Sequence, residues 1–146
     1  MALTRETVLE LLNQELQPEL IKDYCPNGLQ VEGSSAVTSL VSGVTACKAL
    51  IDRAVEVQAD AILVHHGFFW RGEDPRLIGM KAARVRALMQ REINLFAYHL
   101  PMDIHPTMGN NAGLGRAMGV EVFGMLDPSN ASMPVFVGDA PAGTNA

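Results

Sequence analysis

Apolar positions along this chain follow two periods in turn. The first is helical. Val8, Leu11, Leu12 and Leu16 share one stripe, with Thr4 placed to cap the helix and Leu3 and Val8 placed as a hydrophobic staple. Pro18 closes that segment. In "DYCPNGLQVEG", Pro26, Asn27 and Gly28 predict a turn, and Leu29–Val31 a short extended piece. From Val37 the pattern changes. "VTSLVSGVTA" is β-branched and short enough for a strand, and "CKALIDRAVEVQAD" puts Cys47, Leu50, Ile51, Ala54 and Val55 on one helical face. "AILVHH" opens on a continuous apolar run, as in a strand covered on both faces. "GMKAARVRALMQREI" is helical again, with Val85, Leu88 and Met89 on one side. "NLFAYHL" is a strand, "NNAGLGRAMG" a short helix ending at Gly119, and "VEVFGML" a last strand.

Strand, helix, strand, helix, strand predicts an α/β fold: a mixed, largely parallel sheet flanked by helices, with right-handed crossovers. Residues 1–126 carry this pattern as one domain. The remainder, 127–146, is rich in small residues, Pro and Gly and reads as an irregular tail with at most one short strand at "MPVFV".

Composition narrows the function. With 146 residues, 48% of them apolar, the chain can bury a core. A net charge of −5 and the lack of any Lys/Arg run argue against nucleic acid as a partner. Two isolated cysteines, Cys25 and Cys47, exclude a disulfide framework or a Cys-rich zinc site and fit a reducing compartment. The amphipathic, charged start does not have the form of a signal peptide, and no segment has the length of a membrane span. The expectation is a cytoplasmic protein without membrane association.

The candidate chemistry sits at strand ends. Ligands of open parallel sheets collect beyond the carboxyl ends of the strands. One strand here ends at His65 and His66. The next runs into "YHLPMDIHP", with His99, Asp103 and His105. All four histidines lie in these two stretches. Adjacent side chains on an extended backbone diverge, so His65 and His66 are poorly placed to chelate one ion together. They suit two ions a few ångströms apart, or one ion and a hydrogen-bond partner, with Asp103 able to bridge or flank them. Imidazole mixed with carboxylate suits Zn, Fe, Mn, Ni or Co. His105, just before Pro106, reads as a loop residue. Trp70 and Phe68–Phe69 read as a packed cluster. The glycines of "MGNNAGLGRAMG" lack the spacing of a phosphate-cradling loop.

Four stretches, "YCPNGLQVEG", "SGVTAC", "ILVHHGFFWRGE" and "YHLPMDIHPTMGNNAGLGRAMG", resemble the first half of the Nif-three-like family of dinuclear-metal proteins, often labelled GTP cyclohydrolase I type 2. The resemblance runs from near the N-terminus to about Met125. It implies an α/β fold of intertwined repeats and a homo-oligomer, a hexamer built as a trimer of dimers. It implies two divalent metal ions held by His65, His66 and Asp103, with His99 beside them as a supporting or substrate-contacting group; in the enzyme reading His99 is the catalytic residue that orients water or acts as acid or base. The same resemblance implies a further His and Glu in an H-x-x-x-E pattern. Here no histidine follows His105 and no glutamate follows Glu121, which leads to the expectation of a truncated or frame-altered product, a fragment, or a shorter variant that completes its site differently. The activity implied is metal-dependent hydrolysis of a nucleotide-like or phosphorylated small molecule. The competing expectations are a non-catalytic metal-binding scaffold or interaction protein, or a truncated form with an incomplete site.

Overall fold

The computed structural model describes residues 2–130 and 134–143. They form two compact units: residues 2–18 with 23–99, and residues 19–22 with 100–143.

The first unit opens with β1 (Leu3–Thr4) and α1 (Arg5–Leu16). Thr4 caps α1 as expected, its Oγ1 accepting from the Thr7 amide at 3.1 Å. Next come β2 (Gly28–Val31), β3 (Ala36–Val37), β4 (Leu40–Thr45), α2 (Lys48–Glu56), β5 (Ala61–His66), α3 (Gly79–Gln90) and β6 (Asn94–Ala97). The main sheet has the order β2-β6-β5-β4. β4, β5 and β6 are parallel and β2 runs antiparallel to β6, so the sheet is mixed and largely parallel, as the sequence pattern predicts.

The alternation along the two central strands divides the core. Ile62, Val64, Leu95 and Ala97 pack with Ile51, Ala54, Val85 and Leu88 from α2 and α3. Ala61, Phe96 and Tyr98 pack with Val8 and the α1 side chains Leu9, Leu12 and Leu16. β5 and β6 are therefore covered on both faces, which is why they read as unbroken apolar runs.

One predicted strand proves to be two. The segment beginning at Val37 breaks at Thr38–Ser39, because the Asp60 carboxylate draws those residues out of the ladder. Its Oδ2 accepts from the Thr38 amide (2.8 Å) and hydroxyl (2.6 Å) and from the Ser39 amide (2.9 Å) and hydroxyl (3.2 Å). These bonds hold the Asp60 carboxyl below its ordinary pKa, the Thr38 hydroxyl contributing most.

The second unit holds α4 (Leu100–Ile104), α5 (Asn110–Met118), β7 (Glu121–Met125) and β8 (Phe136–Asp139), the two strands pairing antiparallel. One expectation changes here. The strand read through Leu100 stops at Ala97, and Asp103 lies on a helical turn rather than in a strand-end loop. Pro101 explains this: it cannot donate to a strand ladder but fits the first turn of a helix. The tail, read as carrying at most one short strand at "MPVFV", contributes β8, with Met125 and Phe136 as register partners. Met133, the first residue of the short strand expected there, lies outside the described residues.

Candidate metal centre

β5 ends where its apolar run ends. Val64 pairs with Ala97 on β6, and Thr45 on β4 pairs with His66. These registers place His65 and His66 at the carboxyl edge, with Tyr98 and His99 following β6 on one side and Thr45 on the other.

Each imidazole is held through Nδ1. His65 donates from Nδ1 to the Tyr98 carbonyl at 3.2 Å; a carbonyl can only accept, so this bond puts the lone pair of the neutral ring on Nε2. His66 Nδ1 shares a hydrogen bond of 3.1 Å with Thr45 Oγ1. His99 Nδ1 donates to Asp23 Oδ1 at 2.8 Å. That carboxylate is only 3% exposed. It also accepts from the Tyr24 amide (2.5 Å) and, at Oδ2, from Asn27 Nδ2 (2.9 Å). Asn27 in turn accepts from the His99 amide at 2.8 Å, so one asparagine sets both His99 and its carboxylate partner. Gly28 follows with φ +102°, a conformation that favours glycine and turns the chain into β2.

The three rings come together. Centroids are 4.3 Å apart for His65–His66, 4.9 Å for His65–His99 and 5.7 Å for His66–His99. One ligand nitrogen from each lies within 4.8 Å of the other two. The divergence expected for adjacent strand residues does not keep the pair apart. β5 ends at His66, and the two rings are anchored on opposite sides, one by Tyr98 and the other by Thr45. Imidazole donors of this kind fit a borderline divalent ion such as Zn, Fe, Ni or Co.

The loop after the pair is fixed by Gln30, which accepts from the Phe68 amide (2.7 Å) and donates to the Phe68 carbonyl (3.1 Å). Gly67 is required there. A Cβ would stand 2.2 Å from Gln30 Oε1 and 2.6 Å from the Ala97 Cβ. The loop brings Trp70 edge-on to His99, centroids 4.8 Å apart at 85°, so Trp70 walls the site as well as packing. Arg71 Nη2 donates to the Asp23 carbonyl at 2.7 Å and ties the Asp23 loop to this one.

A second ligand group shares His99: Asp23, Cys25 and His99 also lie within 4.8 Å of one another. Burial, helped by the Asp23 charge, pushes the Cys25 thiol up to about 12. Sequence reasoning missed Asp23, Cys25 and Thr45 as neighbours of the histidines. Nothing in their local pattern signals a partner tens of residues away. The other two expected residues belong to the second unit. Asp103 Oδ1 accepts from Asn110 Nδ2 at 2.8 Å. His105 lies in the loop after α4, where its Nδ1 accepts from the Thr107 and Met108 amides at 3.3 and 3.1 Å.

An α/β sheet with a histidine cluster at the carboxyl edge of its central strand defines the class. The chain belongs to the Duf34/NIF3 (NGG1p interacting factor 3) family, whose model matches residues 3–144. A "GTP cyclohydrolase 1 type 2 homolog" from Pseudomonas aeruginosa is 51% identical over 138 residues, covering 94% of this chain and 55% of the relative. One from Vibrio cholerae is 56% identical over 126 residues, covering 86% and 50%. Among solved structures, the protein ybgI, titled as of unknown function, superposes with a TM-score of 0.84 at 48% identity, over 86% of this chain and 51% of that one. The protein TTHA1606 from Thermus thermophilus gives 0.74 at 37% identity, over 81% and 49%. The chain thus spans about half the length of the curated relatives it matches. Among the described residues, no helix is long and apolar enough to cross a membrane.

Proposed function

We propose that this chain binds two divalent metal ions and takes part in metal-dependent hydrolysis of a nucleotide-like or phosphorylated small molecule. The observation that carries the proposal is the convergence of three imidazoles whose Nδ1 atoms are held by Tyr98, Thr45 and Asp23. Holding a ligand's second nitrogen is how metal sites fix the tautomer and aim of a histidine. His65 and His66 are the proposed histidine ligands, and Asp103 enters as the carboxylate ligand through the family resemblance. The ions, when bound, would supply a Lewis acid and a water of lowered pKa.

His99 takes the remaining role. With its Nδ1–H donated to Asp23, Nε2 is the atom that accepts a proton from water or returns one to a leaving group. Trp70 screens one flank of His99 from solvent. The substrate class follows the names of the relatives, which support a purine nucleotide or a similar phosphorylated compound. We also propose a cytoplasmic homo-oligomer, a hexamer on the family resemblance. Val44, 69% exposed on the edge strand β4, supports self-association there.

The test is turnover of a purine nucleotide panel by protein loaded in turn with Mn, Co, Ni or Zn. Hydrolysis that is lost in His99→Ala while metal content persists supports the assignment. Full metal content with no turnover of any phosphorylated compound favours a binding scaffold instead.

A further inference from the structure

We infer that Asp23, Cys25 and His99 form a second metal site, selective for thiophilic divalent ions such as Zn, Cd or Co. The group offers one carboxylate oxygen, one sulfur and one imidazole nitrogen, all within 4.8 Å of one another. Three protein ligands of this mixed kind, with a fourth position for water, are a familiar tetrahedral zinc set. Sulfur separates it from the neighbouring group of imidazoles, because thiolate favours soft ions.

The site is buried and pre-organised. The side chains of Asp23 and His99 are 3% and 15% exposed, and Cys25 is buried. Asn27 holds Asp23 Oδ2 and the His99 amide together. Arg71 fixes the backbone on both sides of the loop, through the Asp23 carbonyl and, by its own amide, the Tyr24 carbonyl at 2.7 Å. Little of the backbone must be ordered when an ion arrives, which favours binding.

The proton balance is simple. Without metal, the buried thiol stays protonated. On binding, its proton leaves to solvent and a metal–sulfur bond forms. The His99–Asp23 hydrogen bond opens, and its two heavy atoms each bond the ion. The imidazole keeps one proton, now on Nε2. His99 then has no Nε2 lone pair to offer beside His65 and His66. Occupancy of this site therefore withdraws His99 from the role proposed above. The binding itself does not depend on that role.

The experiment is a cobalt(II) titration of the purified chain, read by the near-ultraviolet thiolate-to-cobalt charge-transfer band. The band should rise to a plateau as cobalt fills this group, whatever further cobalt the imidazoles take up, and disappear in Cys25→Ser. It should survive in Cys47→Ser and in His65→Ala, which separates it from the neighbouring group. No band in the native chain, a band that survives Cys25→Ser, or a band lost in His65→Ala overturns the inference. Cadmium-113 NMR of Cys47→Ser needs no change at the site and guards against misfolding of Cys25→Ser. A resonance in the sulfur-ligand range is expected, and one confined to the oxygen and nitrogen range overturns the inference.

Discussion

His99 Nδ1 lies 2.8 Å from Asp23 Oδ1, although 76 positions separate the two in sequence. The carboxylate also accepts from Tyr24 and Asn27, and its bond to the imidazole sets the tautomer of His99. This pairing converts a turn near the N-terminus into the support of a group at the sheet edge. Asp23→Ala should release that constraint. The Nε2–H tautomer of His99 should become populated in the metal-free protein, read by long-range nitrogen-15 correlation spectra. An unchanged tautomer would mean that Asp23 does not set it.

Gly67→Ala tests the packing behind the histidine pair. The new Cβ would meet Gln30 Oε1 at 2.2 Å and the Ala97 Cβ at 2.6 Å, and neither can retreat without breaking the Gln30–Phe68 bonds or moving β6. Overpacking of this kind costs about 1–3 kcal/mol. Urea denaturation should show that loss, and unchanged stability would mean that Gln30 is not fixed.

Asp60 gives a pH-dependent prediction. Its carboxyl titrates lower in the folded chain than in the unfolded one, where the value is near 3.8. The unfolded state therefore binds the proton first as pH falls. The stabilisation is present in full well above 3.8 and is lost as pH drops through the lower folded value. The stability gap between native protein and Asp60→Asn should be constant near neutrality and close below pH about 3.9. A gap that persists at the acid end would assign the effect to shape rather than charge.

His105→Ala should leave metal content unchanged. Its Nδ1 serves the Thr107 and Met108 amides, so the variant should lose about 1 kcal/mol of stability instead. Elemental analysis beside thermal denaturation separates the two outcomes.

The sheet was legible because its central strands are buried on both faces, and burial writes itself as unbroken apolar runs. "AILVHH" and its helices are placed as the periodicity predicts, except that Met89, expected beside Val85 and Leu88, is exposed. His65, His66 and His99 were legible as strand-end residues, and the register brings them together. What was not legible depends on side chains reaching across the fold. The break at Thr38–Ser39 is caused by Asp60, and the cradle of His99 by Asp23 and Asn27. Neither leaves a period in the sequence. The helical setting of Asp103 was missed because "LPMDI" is too short to show one.

The most direct test of the metal-centre proposal is a manganese(II) titration of the native chain beside the His65→Ala/Asp103→Ala double variant. Manganese suits imidazole with carboxylate and avoids thiolate, so the Cys25 group should not contribute. The native chain should bind the ion, and more weakly in acid, because protons compete with metal for imidazole nitrogens. The double variant should bind at least ~10-fold more weakly, since even an outer-shell partner is worth that much. Equal binding by the two proteins would contradict the proposal that His65 and Asp103 hold the metal.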